Sequence, residues 1–65
     1  MNHRQAIALR NELRREGNHT DVDIDWLDQY QRNLGYKVIA VKQENNKIVD
    51  EVHFINSDRS GAIQI

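Results

Sequence analysis

Asp21-Val22-Asp23-Ile24-Asp25-Trp26-Leu27-Asp28 is the stretch on which the reading of this chain turns. At 100° per residue, Ile24, Trp26, Leu27, Tyr30 and Leu34 fall on one apolar arc, the pattern of an amphipathic helix. Thr20 and Asp23 have the spacing of a capping box, with Asp in place of Glu or Gln. Asp21, Asp23 and Asp25 would crowd the first turn, where the helix dipole favours negative charge, and Gly35 would close the helix. The competing period is two: Val22 and Ile24 alternate with aspartates, as at the start of a short strand. Because the helical pattern continues through Leu34, the sequence predicts a helix from about Asp21 to Leu34.

Upstream, residues from about His3 to Glu16 are rich in helix formers, and Gly17-Asn18 supplies the stop. Ala6, Leu9 and Leu13 form the core stripe of this first helix. Arg4, Arg10, Arg14 and Arg15 spread over the other side, with Asn11 beside them and Ile7 among them. Downstream, Tyr36–Gln43 and Lys47–Ile55 are strand-like, and Asn45-Asn46 between them suits a type I′ hairpin turn. A two-residue turn then pairs Gln43 with Ile48, Ile39 with Val52 and Val38 with His53. The opposite register face carries a mixed patch of Tyr36, Val38, Val49 and Ile55 in need of a cover. Ala62–Ile65 supplies a short third strand or frays. The expected fold is α+β in the order α-α-β-β, two helices packed on a small antiparallel hairpin or sheet, in a single domain spanning 1–65.

At 65 residues the chain buries only about 60% of its unfolded surface, so its core is thin. It has no cysteine, which removes disulfides and thiolate metal sites and favours a reducing compartment. No apolar run reaches the roughly 18 residues of a membrane span, and the polar start lacks the pattern of a secretory signal. A cytoplasmic address is therefore expected. Net charge is −1, with a basic first helix followed by four aspartates between residues 18 and 28; the molecule as a whole steers toward neither nucleic acid nor membrane.

Chemistry-bearing motifs are sparse. The Asp-x-Asp-x-Asp run resembles the opening of a calcium loop. Counting from Asp21, however, the sixth position is Trp26 and the twelfth Arg32, where such loops need Gly and Glu. His3, His19 and His53 lack the short spacing of zinc ligands. Thr20, Ser57 and Ser60 have no recognisable base beside them, and the glycines are isolated, so neither a catalytic centre nor a cofactor is expected. A winged-helix comparison fails because the second helix opens with acidic residues.

Two surfaces remain. The first-helix face of Arg4, Ile7, Arg10, Asn11, Arg14 and Arg15 joins an apolar residue to a ring of arginines, more a protein-binding spot than a phosphate track. The sheet patch of Tyr36, Val38, Val49 and Ile55 is a second interface, or the seam of a homodimer. By elimination, the expected function is that of a small regulatory or inhibitory protein acting by protein–protein binding. The alternative is nucleic-acid binding through the arginine-rich helix.

Overall fold

The computed structural model describes residues 1–65 and contains one helix and four strands. Helix α1 spans His3–Glu16; strands β1 (Asp21–Trp26), β2 (Tyr36–Glu44), β3 (Lys47–Phe54) and β4 (Ile63–Gln64) follow. The sheet is an antiparallel meander in the order β1-β2-β3-β4. α1 packs on β1 and β2. No helix is long and apolar enough to cross a membrane.

The arrangement of two helices on a hairpin is thus corrected: the second helix does not form. A helix over 21–34 would set Ile24 about 160° around its axis from both Val22 and Trp26, so the three could not share one face. As a strand, the same residues send Val22, Ile24 and Trp26 to one face and the aspartates to the other. Val22 is 2% exposed there, with Ile24 packed against the core beside it. Past Trp26 the chain turns away. Asp28 Oδ1 accepts a hydrogen bond from Tyr30 N at 2.8 Å, an Asx turn, and only one turn of 3₁₀ helix, Arg32–Leu34, follows. Tyr30, expected in the core, is 95% exposed.

α1 forms as its sequence dictates. Asn2 and Gln5 make a reciprocal capping box, Gln5 N donating to Asn2 Oδ1 at 2.8 Å and Asn2 N to Gln5 Oε1 at 3.0 Å. Gly17 closes the helix in the left-handed conformation, at φ 71°. Its buried stripe is Ala6, Leu9 and Leu13, which meets Val22, Val38 and Ala40 of the sheet.

The hairpin turn is as expected, Asn45 and Asn46 both having positive φ (52° and 64°), as a type I′ turn requires. The register beyond it is not. Gln43 faces Ile48, but Lys42 faces Asp50, so Val49 is an extra residue in a bulge. Every later β3 residue is displaced by one, and its side chain changes face. Val52 and Phe54 join the helix side opposite Ala40 and Val38, while Glu51 and His53 pass to the other side opposite Val41 and Ile39. The residues after Gly61 do pair, β4 lying against Val52 and His53 as the fourth strand.

Two polar clamps hold α1 at its flanks. Arg14 donates from Nε and Nη2 to the Val22 carbonyl at 3.2 and 2.8 Å, covering a backbone acceptor on edge strand β1. On the other flank, Arg59 pairs with Glu16 through both guanidinium nitrogens and with Glu12 at 3.3 Å. The hydrogen bonds from Arg59 hold the Glu16 carboxyl below its ordinary pKa, and the Ser60 hydroxyl and amide do the same for Asp58.

Only six side chains are fully buried, so each matters. Leu13→Ala is expected to cost about 2–5 kcal/mol, a large fraction of a small domain's stability, read from urea denaturation. Because Glu16 and Asp58 titrate lower in the folded chain, the stability they supply is complete at neutral pH. It is lost as pH falls below the ordinary carboxylate range through their depressed folded values. Melting temperature followed from pH 7 to pH 2 should fall less steeply in an Arg59→Ala variant than in the parent.

Candidate interaction surface

The sequence-predicted arginine face divides into two groups. Arg14 is engaged with Val22 and lies 3.8 Å from Asp23. Arg10 and Ile7, on the same flank, are half-buried, and Arg10 donates to Asn11 Oδ1 at 3.3 and 3.2 Å. Arg4, Asn11 and Arg15 are exposed on the outward side of α1. Their apolar neighbours on the helix surface are Ala8 and the half-buried Ile7, three residues from Arg4 and four from Asn11.

The sheet patch of Tyr36, Val38, Val49 and Ile55 is not one surface. Val38 is 0% exposed beneath α1. Tyr36 stacks on Trp26 at 4.4 Å, with His3 at 5.0 Å and the Arg32 guanidinium 5.3 Å from the Trp26 ring centre. Val49 stands exposed at the bulge, and Ile55 lies just beyond β3. The one-residue shift re-phases β3 alone: it sets Val52 and Phe54 on the side of Val38 and Ala40, the side that α1 covers, and breaks the expected grouping.

The face turned away from α1 has no helix or strand against it. Directly paired residues share a face, so three rows can be read across the strands. Asp21, Val41 and Glu51 form one row; Asp23, Ile39, His53 and Ile63 form the next; Asp25 and Lys37 form the third. Ile65, two residues beyond Ile63, donates its amide to the Glu51 carbonyl at 2.8 Å. An apolar strip of Ile39, Val41, Ile63 and Ile65 therefore runs beside a row of aspartates. Ile63 and Ile65 are 53% and 73% exposed.

His53 and Glu51 lie within this strip. His53 Nε2 meets Glu51 Oε2 at 2.8 Å, and the side chains are 15% and 27% exposed. Two residues apart on one strand, they stand side by side on the face. Sequence reading assigned neither to the surface; locating the bulge was the missing step.

The aspartate row does not assemble a metal site. No group of three or more acidic or histidine ligands converges anywhere in the chain. An open depression of about 340 Å³ lies elsewhere, lined by Met1, Gln5, Asn56, Ser57, Asp58 and Ser60. Its polar groups are largely occupied by one another. Asp58 accepts from Ser60 N and Oγ at 3.0 and 2.6 Å, and Asn56 donates to the Ser60 carbonyl at 2.9 Å.

No family model, no curated protein and no solved structure matches this chain.

The two groups of arginines should separate experimentally. Arg14→Ala is expected to destabilise the fold by about 1 kcal/mol, since it uncovers an edge carbonyl otherwise satisfied by a charged donor. Arg4→Ala and Arg15→Ala should stay within about 0.5 kcal/mol, as exposed substitutions do. Amide hydrogen exchange along β1 should quicken in the first variant only.

Proposed function

We propose that this chain is a small cytoplasmic protein of regulatory or inhibitory role that acts by binding another protein, with the open sheet face as its contact surface. The supporting observation is the strip of Ile39, Val41, Ile63 and Ile65 on a face with no packed element. Apolar pairs on β2 and at the β4 edge, bordered by the aspartates of β1 and divided by the polar His53–Glu51 pair of β3, mix apolar and polar contact as an interface does. The His53–Glu51 pair at its centre adds directional hydrogen-bonding capacity. The absence of cysteine suits a reducing compartment.

Nucleic-acid binding through α1 has less behind it. With Arg14 engaged on Val22, the cations left on the helix surface are Arg4, Arg10 and Arg15, interrupted by Glu12 and Glu16. The sheet's opposite face is acidic.

Affinity capture from a lysate of the source, with and without nuclease, tests the choice. The parent chain should retain a stoichiometric protein after nuclease treatment. An Ile63→Lys/Ile65→Lys variant should lose it, and an Arg4→Glu/Arg15→Glu variant should keep it. If the captured material instead vanishes with nuclease and with the arginine variant, α1 binds nucleic acid and this reading fails.

A further inference from the structure

We infer that the occupant of the open face is a basic amphipathic helix presented by another protein. This rests on the open face being the contact surface and adds the chemistry of what it contacts. The first ground is charge. Asp21, Asp23, Asp25 and Glu51 share the face with Lys37 and His53. Of the three aspartates, only Asp23 has a cation within 4.0 Å, Arg14 at 3.8 Å, and both side chains of that pair are largely solvated. The face is therefore an acidic margin along an apolar strip, and its complement is a surface that pairs Lys or Arg with an apolar stripe.

The second ground is spacing. Asp21, Asp23 and Asp25 follow one another at intervals of about 6.8 Å along β1. Residues i, i+4 and i+8 of a helix follow at about 6.0 Å. A helix laid along the strands over Ile39 and Val41 thus brings three successive cations beside three successive aspartates. α1 already packs along the other face of the same strands, so a second helix would complete the layered arrangement that a two-faced sheet calls for.

The same charges argue against the other occupants. Stacking two copies face to face would gather the carboxylates of both against two lysines and two histidines. The outward side of α1 from another copy offers Arg4 and Arg15 but, for apolar contact, only Ala8 and the half-buried Ile7 at its margin. Phosphate groups, whether of nucleic acid or of anionic lipid, meet like charge here.

The test uses the whole chain, ¹⁵N-labelled, titrated with synthetic helix-stapled peptides that share one leucine stripe. Their flanking positions are lysine, glutamine or glutamate; a fourth peptide scrambles the lysine sequence so that no stripe remains. The lysine peptide is expected to shift amides of residues 21–25, 37–41, 51–53 and 63. Its affinity should fall about tenfold in an Asp21→Asn/Asp23→Asn/Asp25→Asn variant, the sum of three modest ion pairs. The glutamate and scrambled peptides should bind more weakly by at least as much. Binding of the glutamine and glutamate peptides to the same residues as tightly as the lysine peptide would overturn the basic partner while leaving the contact surface in place. Failure of every peptide to shift the open face would overturn both. Concentration-dependent self-association through residues 39, 41 and 63, seen by sedimentation, would make a second copy the occupant.

Discussion

A single helix has one apolar stripe, and a sheet has two faces. That mismatch governs the whole molecule. Ala6, Leu9 and Leu13 satisfy the face built from Val22, Val38 and Ala40, and the chain has no second helix to spend on the other. The reverse side of the sheet therefore bears a compromise composition, with Ile39 and Val41 on β2, Ile63 and Ile65 at the β4 edge, Glu51 and His53 between them, and charge along the β1 edge. The core is thin, and part of the remaining apolar surface lies on that reverse side, with Tyr30, Leu34 and Val49 exposed elsewhere.

The polar groups divide along the same line. Those around α1 tie the helix down: Arg14 reaches over the β1 edge to the Val22 carbonyl, and Arg59 rises from the loop before β4 to meet Glu12 and Glu16. The first joins consecutive elements and the second joins elements distant in sequence, and both act where the apolar stripe ends. On the reverse face, polar groups are paired within a strand, as His53 is with Glu51, or directed to solvent. Asp23, at the β1 edge, is the exception, lying 3.8 Å from the Arg14 guanidinium of α1.

Much of this was legible in the residues. α1, its core stripe, the hairpin and its turn type follow from local pattern alone, because each depends on spacing within a few residues. The strand at 21–26 was masked by its aspartates, which are poor strand residues in general but well suited to the exposed side of an edge strand. The apolar residues at 27, 30 and 34 compounded the error: they extend a helical pattern that no core exists to receive, and Tyr30 stands in solvent. The bulge at Val49 was invisible for a different reason. Nothing in Lys47-Ile48-Val49-Asp50 distinguishes an extra residue from a paired one; the choice is settled by Val52 and Phe54 gaining the covered side. The composition of the open face was missed with it, since a register error exchanges faces wholesale.

That extra residue has a consequence for how such a protein diversifies. A point substitution on β3 alters one position, but inserting or deleting one residue beside the turn re-phases the rest of the strand against its neighbours. Hydrophobic and polar side chains then trade sides together. Lineages descended from a common hairpin can thus display unrelated surfaces while retaining nearly the same amino acids, and conservation counted column by column would overlook the change.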